Sequence, residues 1–264
     1  MSNPAPSTTF SDDHIPYPKK AIYTRTYGTF SPSLIFTHGF GGSLSSASMH
    51  NFASGFSSTS SVLCFEGSMK LPRRISQFHA VLTHTLTSQT ETQPQTQDST
   101  PPKPIALGGR SMGARAAVIL ANELSLSQST FPSATPSPPT HLILISYPLR
   151  NEKGEIRDQI LYSIPVSTEV LFISGERDTM CPAELIDEVR RRMGARTWMV
   201  WVRGANHGMD MKPADATLAA GETTGRVAAE WLREREEGVG DGGTAREIRW
   251  DEGKGEMEEG EWHD

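Results

Sequence analysis

The sequence is poor in cysteine, with Cys64 and Cys181 as the only two in 264 residues. Two cysteines cannot form the disulfide framework of a small secreted domain, and no His or Cys residues have the spacing of metal ligands. We therefore expect reduced thiols, no metal and a cytoplasmic location, with the nucleus as the alternative. No run of about 18 apolar residues occurs, and the first residues lack the basic and apolar regions of a signal peptide, so no membrane segment is expected.

Positive charge is also scarce. The formal net charge is −6, and residues 251–264 carry seven acids and one lysine, which leaves the rest of the chain nearly neutral. A neutral body offers no basic face to nucleic acid or to an anionic membrane, so we expect neither partner. The glycines near 39–43 and 108–113 match neither G-x-G-x-x-G nor a P-loop, and we expect no cofactor.

Short apolar runs alternate with amphipathic segments along residues 19–237, which predicts one α/β domain with a mostly parallel sheet flanked by helices. Helices are expected over 47–57, 76–86, 115–124, 182–193 and 213–236. The remaining segments are rich in Ser, Thr, Gln and Pro or in Glu and Gly, a composition that favours disorder. On this basis we expect a disordered N-terminus at 1–18, disordered insertions at about 87–102 and 125–140, and an acidic disordered tail at 238–264.

The segment ALGGRSMGARAAV contains G-x-S-x-G, with Ser111 between Gly109 and Gly113. An apolar strand precedes it and a helix rich in small residues follows it, which is the context that exposes a nucleophilic serine on a sharp turn. The motif alone is weak evidence, because a serine in such a turn is also an ordinary helix N-cap. Ser111 is therefore a candidate nucleophile that needs a partner base elsewhere in the chain.

That base is expected at another strand end, because functional groups of an open α/β sheet gather at the carboxyl ends of its strands. His207 follows the last predicted strand directly, and Asp178 follows the strand before it. Glu176 could replace Asp178 as the acid, whereas Asp210 is close to His207 only along the chain. The order Ser111, Asp178, His207 is the Ser–acid–His order of α/β-hydrolases, and no dedicated metal or cofactor is needed for this chemistry.

An oxyanion hole should complete the site. One donor is expected to be the backbone N–H of Met112, directly after the nucleophile. The second should come from the segment HGFGG, residues 38–42, with Phe40 as our choice and Gly41 as the alternative. In that segment His38 is expected to order the loop, while Gly39 and Gly41 let the backbone come close to a substrate.

The segments THGFGG, ALGGRSMGARAA, SYPL, LFISGERD and RGANHGM together resemble the α/β-hydrolase-like family of the testis-expressed protein and the non-specific-lethal acetyltransferase-complex subunit. They are more distantly similar to dienelactone-hydrolase-type enzymes. The resemblance covers about residues 20–236 and implies an α/β-hydrolase fold, a Ser–Asp–His site at Ser111, Asp178 and His207, and no dedicated cofactor. Many members of this family have no assigned substrate, and one branch acts as a complex subunit.

The sequence therefore predicts a serine hydrolase acting on an ester or thioester of a small-molecule acyl substrate. About twenty residues separate Tyr147 from Val166, too few for a substantial cap domain, so we expect an open site. The alternative is a hydrolase-fold interaction module whose acidic tail, with Trp250 and Trp262, docks a basic protein partner. Peptidase activity is a weaker third hypothesis, because nothing in the sequence indicates a peptide-binding lid or propeller.

Overall fold

Ten β-strands form one continuous sheet in the computed structural model, which describes residues 9–92, 104–130, 136–239 and 242–264. The strands are β1 Phe10–Ile15, β2 Ile22–Tyr27, β3 Leu34–Thr37, β4 Val62–Phe65, β5 Ala106–Arg110, β6 His141–Ile145, β7 Glu169–Gly175, β8 Thr197–Val202, β9 Ala245–Asp251 and β10 Glu256–Glu259. The helices are α1 Ala47–Phe56, α2 Leu71–Thr92, α3 Met112–Thr130, α4 Gln159–Tyr162, α5 Ala183–Arg192 and α6 Ala214–Glu237.

The strand order is β1-β2-β4-β3-β5-β6-β7-β8-β9-β10, and all strands from β4 to β9 are parallel. β1, β2 and β10 run antiparallel to their neighbours at the two edges. After β3 the chain forms β4 on one side of β3, and it then crosses to form β5 on the opposite side of β3. The order of strands therefore reverses between β3 and β5, and such a switch point opens a crevice at the carboxyl ends of the two strands.

The central strands are buried on both faces because their successive side chains enter two different cores. In β3, Ile35 packs with α2, α3 and α5, whereas Leu34 and Phe36 pack with α1 and α6. The same alternation occurs in β6, where Leu144 joins the first core and Ile145 the second. Each strand thus needs apolar residues at consecutive positions, which explains the continuous apolar runs in the sequence. This arrangement confirms the predicted α/β class with a mostly parallel sheet flanked by helices.

The prediction of disorder at 1–18 is wrong for the described residues from Thr9 onward. β1 pairs with β2 over its full length, and Arg25 joins the two strands by its ion pair with Asp12 at 2.7 Å and by lying 4.0 Å from the Phe10 ring centroid. An edge strand can be held by backbone pairing and polar contacts of this kind without an apolar run, which is why its composition suggested disorder. Residues 1–8 lie outside the described residues.

The predicted disordered tail at 238–264 is likewise wrong for residues 242–264. β9 adds to β8 and β10 folds back on β9, so that Arg249 and Glu258 lie directly opposite each other and form an ion pair. Ile248 of β9 is fully buried in the core beside α6. Opposite charges on facing strands stabilise the hairpin, although each charge considered alone favours solvent.

The two predicted insertions are partly helical. α2 continues to Thr92 and α3 to Thr130, while residues 93–103 and 131–135 lie outside the described residues. In these extensions hydroxyl groups donate to carbonyl groups of the preceding turn, as Thr87 does to Thr83 and Thr130 to Leu126. A polar segment can therefore prolong a helix whose earlier turns are packed, even though its own composition favours a loop.

The connection from β6 to β7 does not form a cap. It contains only the single turn of α4, and its side chains Tyr147, Leu149 and Ile164 are buried in the core. The segment therefore packs downward against the sheet, in agreement with the predicted absence of a substantial cap domain. No helix within the described residues has the length and apolar character needed to cross a membrane.

The tail can be tested by its contribution to stability. Because Ile248 is fully buried, we expect Ile248→Ala to lower the free energy of unfolding by about 2–5 kcal/mol, the usual cost of such a truncation in a core. Glu252→Ala, in the exposed turn between β9 and β10, is the matched control and should change it by less than about 0.5 kcal/mol. Chemical denaturation measures both, and equal stability of the two variants would mean that the tail is not part of the fold.

Candidate active site

Ser111 occupies the turn between β5 and α3, at the switch point of the sheet. Its backbone has φ 50°, a conformation that is uncommon for a residue with a side chain and that costs on the order of 1–3 kcal/mol. Two hydrogen bonds fix it, from Ser111 N–H to Ile145 O at 2.9 Å and from Arg115 N–H to Ser111 O at 3.2 Å. The serine is therefore held in a sharp strand-to-helix turn, and the G-x-S-x-G segment has the structural context that its sequence predicted.

Gly113 explains how the helix comes so close to the sheet. A Cβ atom at this position would lie 2.4 Å from the carbonyl oxygen of Thr37 and 2.8 Å from that of His38. Only glycine fits the contact between the first turn of α3 and the end of β3. The same contact brings the loop after β3 next to Ser111, since a Cβ atom on Gly39 would lie 3.3 Å from the Cβ of Ser111.

The structure brings together the three side chains that the sequence singled out. His207, in the loop after β8, has its Nε2 atom 3.0 Å from the Oγ of Ser111. Its Nδ1 atom lies 2.9 and 2.8 Å from the two carboxylate oxygens of Asp178, in the loop after β7. Asp178 is 2% exposed, and its Oδ1 also accepts the N–H of Met180 at 2.8 Å.

These hydrogen bonds define which ring nitrogen carries the proton. The ionised Asp178 can only accept, so Nδ1 of His207 must donate, and Nε2 of the neutral ring is left to accept the hydroxyl hydrogen of Ser111. A serine that donates to an imidazole, oriented in turn by a buried carboxylate, has the arrangement required to deprotonate the serine as it attacks.

The two alternative acids lie elsewhere. Glu176 accepts the N–H of Gly204 at 2.9 Å and pairs with Arg203 at 2.8 Å, and these two contacts hold the pKa of its carboxyl group below the usual value. Asp210 is exposed, and its backbone N–H and C=O bond with Asn206. Of the acids considered from the sequence, the structure places Asp178 against His207.

The segment of residues 38–42 forms a turn beside Ser111. Gly42 N–H donates to Gly39 O at 3.4 Å, and Gly41 has φ 72°, so Phe40 and Gly41 are the central residues of the turn. The N–H of Gly41 donates to the thioether sulfur of Met69 at 3.4 Å, whereas the Phe40 side chain is 72% exposed. On the other side of Ser111, Met112 is the first residue of α3, where backbone N–H groups have no acceptor within the helix.

Two arginines near the site were missed by the sequence reasoning. Arg110 donates from Nη2 to the backbone oxygen of His207 at 2.8 Å, which connects the histidine loop to β5, the strand that leads into Ser111. Arg74 of α2 lies fully buried beneath residues 38–42. Arg74 lies four residues before Phe78 and seven before Val81, which places it on the apolar face of the helix. A charged residue on that face needs a specific partner, and this could have identified Arg74 from the sequence.

Two cavities lie beside the loops of the candidate site, and Ser111, Asp178 and His207 are not among the residues that line either of them. One of about 350 Å³ is lined by Arg110 and Met209 together with residues of α1 and α6. The other, of about 400 Å³, is lined by His38, Glu66 and Met69 beside the loop after β3. Both are within the usual size range of small-ligand sites. In the described part of the chain, no three His, Cys, Asp or Glu side chains are grouped as ligands of a metal ion.

A family model described as an alpha/beta hydrolase domain matches residues 31–234. Est1E from Butyrivibrio proteoclasticus is similar in structure, with a TM-score of 0.60 and 14% sequence identity over 86% of this chain and 99% of that one. EstE1, a thermophilic and thermostable carboxylesterase cloned from a metagenomic library, gives a TM-score of 0.60 at 16% identity over 86% of this chain and 88% of its own. An alpha-beta serine hydrolase homologue from Coxiella burnetii gives 0.55 at 15% identity, with coverage of 85% and 96%. At these identities the structural likeness establishes the shared fold.

The hydrogen bond between His207 and Asp178 can be tested without any substrate. A ring N–H held by a buried carboxylate exchanges slowly and resonates far downfield in proton NMR spectra. We expect such a signal from Nδ1–H of His207, absent in His207→Gln and lost or moved upfield in Asp178→Asn. Glu176→Gln, which alters the acid paired with Arg203, should leave the signal in place, and its disappearance there would contradict the described geometry.

Proposed function

Because the chain belongs to the alpha/beta hydrolase domain family, we propose that it is a serine hydrolase that cleaves an ester or thioester bond of a small acyl substrate. The observation that carries the proposal is the continuous hydrogen-bonded series from Ser111 through His207 to the buried Asp178. A serine with φ 50° at the end of a central strand, beside a neutral imidazole acceptor, is arranged for nucleophilic attack.

In the proposed reaction, Ser111 Oγ attacks the carbonyl carbon of the substrate while Nε2 of His207 takes the hydroxyl proton. The carbonyl π electrons move to the oxygen and form a tetrahedral oxyanion. The oxyanion collapses, the alcohol or thiol departs with the proton from Nε2, and an acyl-serine remains. A water molecule, deprotonated by His207, then repeats the sequence and releases the acid, while Asp178 stabilises the imidazolium in both halves.

The oxyanion donors in this proposal are the backbone N–H groups of Met112 and Phe40. Met112 is supported by its place at the N-terminus of α3, where the helix dipole favours negative charge. Phe40 is favoured over Gly41 because the Gly41 N–H is already directed to the sulfur of Met69. Donors of this type typically contribute about 10²–10³ in rate each.

A small ester or thioester is the proposed substrate because a cavity of about 350 Å³, which is of small-ligand size, lies beside the His207 loop and is lined by Arg110, Gly208 and Met209. Within the family, the GGRSMG and GANH segments favour the branch of the testis-expressed protein and the acetyltransferase-complex subunit. A cytoplasmic location remains part of the proposal and is supported by Cys64 and Cys181, which are both buried free thiols.

An acidic docking tail is less well supported than catalysis. Glu247 and Glu258 form ion pairs with Arg203 and Arg249, and Glu259 contacts both Arg226 and Arg246. These three glutamates therefore stabilise the hairpin and its contact with α6. A basic protein partner would have to compete with arginines of the same chain.

The first test is covalent labelling combined with an activity panel. We expect a fluorophosphonate probe to label the folded protein at Ser111, and a panel of acyl esters and thioesters to give turnover that Ser111→Ala abolishes. Peptide substrates should give none. Peptide mapping locates the label, and the proposal fails if the folded wild type is unlabelled or if Ser111→Ala turns over the panel at the wild-type rate.

A second test concerns the acid. Asp178→Asn should lower kcat by about 10⁴, because the amide can present its NH₂ to the imidazole and favour the wrong tautomer. Glu176→Gln is the matched control two residues away and should keep kcat within about threefold, since Glu176 pairs with Arg203 rather than with His207. Steady-state kinetics on the best ester of the panel measures both variants, and the reverse ranking would assign the acid role to Glu176.

A further inference from the structure

We propose that Arg74 is a positioning residue for the loop at 38–42, where it fixes the peptide between Gly39 and Phe40 with its N–H directed toward the reacting carbonyl. This inference rests on the proposed function, because it assigns a role within the same site. It concerns a residue that never touches the substrate and acts through the backbone of the loop.

The Arg74 side chain binds backbone oxygens at every donor nitrogen. Its Nη1 donates to His38 O, both Nη atoms lie 3.4 Å from Gly39 O, Nη2 donates to Gly67 O at 3.1 Å, and Nε donates to Ser68 O at 2.8 Å. Among the described residues, no carboxylate lies within ion-pair distance of this guanidinium. A fully buried cation that is surrounded by carbonyl oxygens holds backbone in place, because releasing any one of them would leave a buried charge poorly solvated.

His38 reinforces the same peptide. Its Nε2 accepts the N–H of Gly67 at 3.0 Å, so in the neutral ring Nδ1 carries the proton and donates to Gly39 O at 2.8 Å. Burial, and then the positive charge of Arg74, lower the pKa of His38, which keeps the ring in this neutral form. Burial also lowers the pKa of Arg74 to about 10, which still leaves it charged at neutral pH.

The direction of the Phe40 N–H follows from the planarity of the peptide bond. In a trans peptide the C=O and N–H groups point in opposite directions. The Gly39 carbonyl oxygen faces Arg74 and His38 in the interior, so the N–H of Phe40 faces the opposite side, while Gly39 itself borders Ser111. If this peptide flipped, the carbonyl oxygen would meet the developing oxyanion and repel it. Arg74 therefore acts on the transition state, and its loss should lower kcat with little effect on KM.

Arg190 provides a matched control. It is largely buried on α5 and also binds backbone oxygens, with Nη2 at 3.3 Å from Thr197 O and 3.1 Å from Thr244 O. These contacts lie at the start of β8 and before β9, at the ends of the strands opposite to Ser111. Arg190 also pairs with Asp187 at 3.4 Å and donates from Nε to Thr197 Oγ1 at 3.1 Å, so its loss gives at least the structural cost of removing a carbonyl-binding arginine, without a contact to residues 38–42.

The experiment measures kcat and KM on the best ester of the panel for Arg74→Lys, Arg74→Met, Arg190→Lys and Arg190→Met, each normalised to the folded, soluble fraction. We expect Arg74→Met to lose about 10²–10³ in kcat, as for removal of one oxyanion donor, with KM changed by less than about threefold. Arg74→Lys, which retains the charge without the planar fork, should recover part of the rate. The affinity for an alkylboronic acid, whose adduct with Ser111 carries an anionic oxygen, should fall in parallel with kcat.

Three results would overturn the inference while the proposed function stands. They are a kcat for folded Arg74→Met within about threefold of wild type, an equal loss in Arg190→Met, or a fall in 1/KM alone. If Arg74→Met does not fold, the kcat and KM of Arg74→Lys are compared with those of the wild type and of Arg190→Lys by the same criteria. Failure of the proposed function is seen separately, as a wild type without Ser111-dependent turnover or labelling, and it would remove the inference as well.

Discussion

The contact between the first turn of α3 and the end of β3 is the constraint on which the site depends. Gly113 packs against the carbonyl oxygens of Thr37 and His38, at distances that exclude any side chain. This contact places the strained turn at Ser111 and the loop at 38–42 on either side of the same crevice, at the switch point of the sheet. His207 must then reach Ser111 from β8, three strands away, or about 14 Å at the usual spacing of strands. Its loop spans this distance while Asp178 holds the ring and Arg110 holds the backbone.

Two arginines, the fully buried Arg74 and the half-buried Arg110, contact both halves of the site through backbone oxygens. Arg74 secures the loop after β3, and Arg110 secures the loop after β8. Carbonyl oxygens are neutral and do not titrate, so these contacts do not weaken with pH as an ion pair to a carboxylate would. The cost is desolvation of the guanidinium groups, which lowers the pKa of both arginines. In exchange, the planar guanidinium of Arg74 binds several carbonyl oxygens in a fixed geometry that a lysine cannot reproduce, whereas Arg110 makes one such contact.

The sequence predicted the central strands well because burial on both faces demands apolar runs, as in β8, the strand that His207 follows. It predicted Ser111, Asp178 and His207 because the ends of parallel strands meet at one edge, and the structure brings these three together. It missed β1, β9 and β10, since edge strands are stabilised by backbone pairing and by charge pairs such as Arg249 with Glu258, which only a known register reveals. Arg74 was missed for a related reason, because its acceptors are backbone oxygens and carry no signature in the sequence.

The absence of a cap over the site also limits how much binding energy a substrate of the proposed reaction can gain. The segment between β6 and β7 commits Tyr147, Leu149 and Ile164 to the core, so it cannot rise over Ser111 to enclose a substrate. Burial of a methylene group contributes about 0.8 kcal/mol, and a short acyl chain in a shallow cavity therefore gains only a few kcal/mol from contact. In the proposed reaction, with little binding energy available, the rate comes from groups held in place before the substrate arrives. The proposal therefore assigns to Arg74, which acts only on the backbone, an effect on turnover comparable with that of residues that touch the substrate.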